Sequence, residues 1–235
     1  MLALAVAVAS KDEPPRTVSV YDGMVTFSIP PDWNEIPADT LEYYSLRSAE
    51  SSEGRNAEVY QHGFRPGDPE VDFSLPQILI QIRESGRLKY GDFLSLPSVE
   101  SMRKENAWRL AERKGPMING IRFEGAVYDR KSHSLHVRNT IDLKLEGKTV
   151  VESVSFLTER GLFTIHCYAA IPQFTEMAPV FAEIVSSVKF DESLRYRPRL
   201  SDRWPPRPPQ IAFAAAGLTL VALLIAYLFR CGRRQ

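Results

Sequence analysis

The chain has 235 residues and carries 29 basic and 29 acidic side chains. The balance is uneven: up to Leu194 there are 21 basic against 28 acidic residues, and beyond it 8 against 1. A globular part acidic by seven lacks the positive field that holds phosphate backbones, which excludes general nucleic-acid binding.

The chain opens "MLALAVAVASKDEPP". Residues 1–9 are apolar after the initiator and end in Ala7-Val8-Ala9, the small-x-small arrangement of a secretory cleavage site, although no Lys or Arg precedes Lys11. Residues 17–194 follow without a composition shift or an internal repeat, a length suited to one domain with its own core.

Within that domain "TVSVYDGMVTFSIPPDWNEIP" predicts a hairpin about Asp22-Gly23, with Val25, Phe27 and Ile29 in phase on one face. Pro30-Pro31 end the second strand, and Trp33 stands ready to close over a sheet edge. "LEYYSLR" and "AEVYQHGF" read as strands around the polar link "SAESSEGRN", and "PQILIQIRE" as another with Ile78, Ile80 and Ile82 in phase. Between Pro97 and Lys114 the pairs Glu100/Lys104 and Glu105/Arg109 predict an amphipathic helix stopped by Gly115-Pro116. From Ile121 to Ala170 four strands are expected, joined at Gly147-Lys148 and Arg160-Gly161. Phe174, Met177, Phe181, Ile184, Val185 and Val188 then recur at three- and four-residue steps, predicting a closing helix laid on the sheet.

The opening "MVTFSIPPDWNEI" and the closing "GLFTIHCYAAIPQFTEMAPVFAEIVSSVKF" resemble the two ends of the PsbP-like and DcrB-like proteins. The resemblance implies an α+β fold, an antiparallel sheet flanked by helices, in periplasmic, lipid-anchored or lumenal proteins that assist larger membrane assemblies. It supplies no site residue, because no position here matches the family's metal-linked residues.

After the domain, residues 195–210 form an Arg/Pro-rich segment, "RYRPRLSDRWPPRPPQ", expected to be a stiff extended stalk whose arginines meet anionic headgroups. Ile211–Phe229 are nineteen consecutive uncharged residues, and a helix of that length matches a hydrocarbon core of roughly 30 Å. A basic tail, residues 230–235, ends the chain. A cleaved signal would carry the domain across and leave Arg230, Arg233 and Arg234 inside, whereas Arg197, Arg199, Arg203 and Arg207 before the span argue for the reverse. The expected placement is a single-pass membrane protein with an extracytoplasmic domain; the alternative is a tail-anchored protein facing the cytoplasm.

Chemistry is sparsely marked. His166-Cys167 is the pair most suggestive of a base and nucleophile, but neighbours on a strand point to opposite faces, so a core cysteine and a surface or edge histidine are expected. His133 and His136 have H-x-x-H spacing without a carboxylate cluster beyond Asp129, which makes a poor metal site. The chain contains no G-x-S-x-G, G-x-x-x-x-G-K-[ST], G-x-G-x-x-G or H-E-x-x-H motif. Cys167 and Cys231, separated by the span, provide no disulfide framework. The reading is therefore a non-enzymatic binding domain with no catalytic, cofactor or metal residues, whose partner is another envelope component. Its alternative is a membrane-tethered hydrolase, which a pocket holding His136 or His62 bonded to a carboxylate would favour.

Overall fold

The computed structural model describes residues 13–51, 58–68, 74–91, 118–143 and 147–203. Among these, the strands are β1 (Arg16–Val20), β2 (Val25–Ile29), β3 (Trp33–Glu35), β4 (His62–Pro66), β5 (Gln77–Arg83), β6 (Ile118–Asp129), β7 (Ser134–Leu143), β8 (Gly147–Leu157), β9 (Leu162–Ala170) and β10 (Lys189–Phe190). Two α-helices, α1 (Ala38–Ser51) and α2 (Ile171–Ser186), and a 3-10 turn at Leu200–Arg203 complete them. Residues 1–9, the expected helix at 97–114 and Ile211–Phe229 lie outside the described residues, within which no helix is long and apolar enough to cross a membrane.

Seven strands form one antiparallel sheet in the order β3-β4-β5-β9-β8-β7-β6, and β1-β2-β10 form a second, smaller one. The expected hairpin is present, with Val20 opposite Val25 and the turn residues Tyr21 and Asp22 at positive φ before Gly23. Val25, Phe27 and Ile29 are buried while Thr26 and Ser28 are half-buried, so the alternation in the sequence marks the covered face. The four-strand run from β6 to β9 is also as expected, and Trp33 sits in the edge strand β3.

In β9, "LFTIHCYAA", eight of nine residues are buried, because the strand is central in the sheet and covered on both faces. Phe163, Ile165, Cys167 and Ala169 face α2 and the small sheet, joined there by Ile78 and Ile80 of β5 and Val150, Val154 and Phe156 of β8. On the opposite face Leu79, Val151 and Tyr168 pack against Ile36, Leu41 and Tyr44, the last two on α1. Phe174, Phe181 and Ile184 are the buried face of α2, and Phe181 meets Trp33 edge to face at 6.3 Å between ring centroids. Phe181→Ala should cost about 4 kcal/mol, read as a lower denaturation midpoint of the domain.

Two expectations are corrected. "LEYYSLR" is helical, within α1, and the next strand begins only at His62. The run is short enough to fit either period; tertiary packing chose 3.6, placing Leu41 and Tyr44 inward and leaving Tyr43 and Leu46 about half exposed, at 52% and 57%. Residues 195–203, expected as an extended spacer, fold onto the domain, with Tyr196 and Asp202 buried just beyond the buried Leu194.

Candidate functional site

Residues 134 and 136 of β7 and 152, 154 and 156 of β8 share a parity and project to the α2 side, as the register shows: Ser134 opposite Phe156, His136 opposite Val154. Helix α2 packs over β9 and β8 of the large sheet and against β2 of the small one. Beyond it, toward β7, a cleft of about 390 Å³ remains. Phe156, Phe181, Val185 and Val188 form its apolar side, and Asp129, Ser132, Ser134, His136 and Glu152 its polar side.

The polar side is internally wired. The Ser132 hydroxyl donates to Asp129 Oδ2 at 2.6 Å, Ser132 and Ser134 hydroxyls lie 2.7 Å apart, and Ser134 Oγ is 2.9 Å from His136 Nε2. The bond from Ser132 and the Lys131 backbone N–H hold the Asp129 carboxyl below its usual range. Glu152 differs: it has no hydrogen-bond or ion-pair partner among the described residues, although it lines the cleft.

This wiring does not make an activated serine. A nucleophile must be reachable and its base oriented by a third group, yet Ser134 is 0% exposed and two hydroxyls separate His136 from Asp129. His62, the other histidine of interest, does meet a carboxylate, with Nδ1 3.2 Å from Glu35 Oε1. That pair is on the open surface, its side chains 29% and 59% exposed, and neither residue lines the cleft.

His166 and Cys167 point to opposite faces, as the strand geometry requires, but His166 is buried at 0% exposure rather than at a surface or edge. The error lay in treating β9 as half-covered; its second face is closed as well. Ser153 Oγ bonds His166 Nδ1 at 2.8 Å, while Nε2 is buried without a partner among the described residues. Burial, helped by the Arg83 cation, pushes its pKa down to about 3 and keeps the ring neutral. Burial also pushes the Cys167 thiol up, away from the thiolate that nucleophilic chemistry needs.

Near His166 lies a set that sequence reasoning missed. Tyr60 stands edge to face with His166 at 5.9 Å, its hydroxyl donates to the buried Glu58, and Tyr168 Oη is 3.3 Å away. Burial raises the Glu58 carboxyl and both phenols. The only sequence signal was a glutamate between apolar positions in "AEVYQHGF", which alternation assigns to either face.

His133 and His136 do not converge on a common ligand. His133, at φ 52° in the β6–β7 turn, has Nδ1 3.0 Å from the Tyr128 hydroxyl and packs against Tyr90 and Tyr196. His136 turns to Ser134. No group of three or more metal-ligating side chains occurs among the described residues.

A second polar centre joins the segment after Leu194 to the sheet. Arg87 donates to both Asp202 oxygens at 2.7 and 2.6 Å, to Glu159 at 3.0 Å and to the Arg197 carbonyl at 2.7 Å. Its guanidinium lies 4.6 Å from the Tyr196 ring centroid. Asp202 also accepts from the Tyr196 hydroxyl at 3.1 Å and the Arg199 N–H at 2.7 Å. The Arg87 bonds lead in pushing its pKa down to about 2.

No protein-family model matches the chain, and a search of curated proteins finds no relative. Among solved structures, cyanobacterial PsbP (CyanoP) from Synechocystis sp. PCC 6803 aligns over 81% of this chain and 98% of its own, with a TM-score of 0.47 and 12% identity. LpqN, described as involved in cell envelope biogenesis of Mycobacterium tuberculosis, aligns over 77% and 87%, with a TM-score of 0.35 and 12% identity. The structural likeness includes the PsbP group that the two ends of the sequence resemble. At these scores no residue role passes from those proteins to this one.

Proposed function

We propose that the chain is a non-enzymatic, single-pass membrane protein whose extracytoplasmic domain binds another envelope component through the cleft beside α2. The observation that carries the reading is Glu152, a carboxylate without a hydrogen-bond or ion-pair partner among the described residues, facing the apolar side of the cleft. A carboxylate beside apolar surface is suited to a segment that presents a Lys or Arg next to an apolar side chain. The nineteen-residue apolar run supports the anchoring, and the signal-like start supports the orientation. The buried Ser134 and the separation of His136 from Asp129 weigh against hydrolysis.

A photo-crosslinking residue at Ala182, an exposed position lining the cleft, tests this in membranes. The expected result is a discrete adduct that disappears when Glu152 is changed to Lys while the domain stays folded. An adduct indifferent to Glu152→Lys would remove the basis for a cationic partner. Ester or amide turnover abolished by Ser134→Ala would establish the hydrolase instead. A reporter fused upstream of Arg195 reads the compartment, and activity on the cytoplasmic side would overturn the placement.

A further inference from the structure

We infer that the domain is not carried away from the bilayer on a spacer but is held with one end of its sheet toward it, where exposed basic turns meet anionic headgroups. The inference rests on the anchoring reading and on the Arg87 clamp.

Asp202 is 2% exposed and accepts from Arg87 twice, from Tyr196 and from the Arg199 backbone. The chain is therefore fastened to the domain as far as this turn. Only residues 204–210 separate Arg203 from Ile211, and seven residues span at most about 22 Å in the polyproline conformation. The headgroup layer takes roughly 6 Å of that reach. The far end of the sheet, about 30 Å further along the strands, cannot replace the clamped end at the surface.

Topology identifies what else stands at the clamped end. The β6–β7 turn carries Arg130 and Lys131, and the β8–β9 turn carries Arg160; all three are exposed. The two turns are neighbours, since Leu157 N–H bonds the His133 carbonyl, and Gly86 N–H, next to Arg87, bonds the Arg160 carbonyl. Of the arginines expected to reach lipid from the stalk, Arg197 pairs with Glu192 at 2.9 Å and Arg199 with Glu159 at 3.2 Å. The turns thus add Arg130, Lys131 and Arg160 to the recognition of anionic headgroups.

The test uses the full chain with Cys231→Ser, reconstituted in phosphatidylcholine vesicles with and without phosphatidylglycerol, and a headgroup-attached quencher. A fluorophore is placed at Ser85→Cys, at the clamped end, or at Gln173→Cys, at the far end; both positions are exposed, and Cys167 is buried. Quenching should be several-fold stronger at 85 than at 173. It should rise at 85 with phosphatidylglycerol and lose that rise in Arg130→Gln/Lys131→Gln/Arg160→Gln. Arg87→Ala, or the milder Asp202→Asn should Arg87→Ala fail to fold, should equalise the two positions. Equal quenching in the parent, or a difference that survives loss of the clamp, overturns the fixed orientation. No response to phosphatidylglycerol overturns the headgroup contact. Extraction of the chain by alkaline carbonate would overturn the anchoring itself, and the inference with it.

Discussion

Gly161→Ala should destabilise the domain by about 3 to 5 kcal/mol, among the largest effects of any single methyl group in this chain. Gly161 ends the β8–β9 turn at φ +151°, a region that side-chain-bearing residues rarely adopt. A Cβ there would lie 2.0 Å from the Arg83 carbonyl oxygen and 2.8 Å from the Ser85 backbone nitrogen. Both are main-chain atoms, so no rotamer change relieves the contact. The chain must retreat from the end of β5, disturbing the pairing of Arg83 with Leu162 and the bond from Gly86 N–H to the Arg160 carbonyl. Chemical denaturation of the detergent-solubilised chain would show this as a lowered midpoint. A variant within about 0.5 kcal/mol of the parent would mean that the turn yields readily and that the close approach is not a constraint.

Asp202→Ala should release the segment from Leu194 to Arg203 at a cost of about 3 kcal/mol, because Arg87 would be left largely enclosed without its bidentate partner. The loss is local. Amides in the segment, such as that of Arg195 bonded to the Asp191 carbonyl, should exchange roughly a hundredfold faster while those of β8 and β9 change little. Trypsin should also reach the Arg199-Leu200 bond. The pH dependence has a definite sign. The folded carboxyl is held near 2, below its ordinary value of 3.8, so its stabilisation is complete above about pH 4 and is lost as the pH falls toward 2. Asp202→Asn should remove this acid dependence. Equal exchange in parent and variant would show that Leu194 and Tyr196 hold the segment without the ion pair.

Much of the sheet was legible because its determinants are local. Val25, Phe27 and Ile29 alternate across one covered face, and the β6–β9 run is separated by short links that leave consecutive strands no choice but to be neighbours. Helix α2 was readable from Phe174, Phe181 and Ile184, whose spacing admits only one period over sixteen residues. The stretch "LEYYSLR" offered too few residues to separate periods of 2 and 3.6, and packing on Leu79, Val151 and Tyr168 settled it.

The candidate cleft was far less legible. His136 was noticed for its spacing to His133, yet what places it is the register of β7 on β8, and Glu152 carried no signal at all until the cleft beside α2 was seen to include it. The Arg87–Asp202 contact joins residues 115 apart, with the β6–β9 run between them.

By itself, the sequence determined the antiparallel sheet, the closing helix, the acid balance of the domain and the apolar run at 211–229, since each depends on residue type, period or hydropathy within a short window. Only the tertiary structure decided that β9 is closed on both faces, that His166 and Glu58 are interior, and that residues 195–203 of an arginine-rich segment written like a free stalk are fastened to the domain. The reason is the same in each case: burial and ion pairing depend on which distant surfaces meet, and a short window of residues does not contain its own partners.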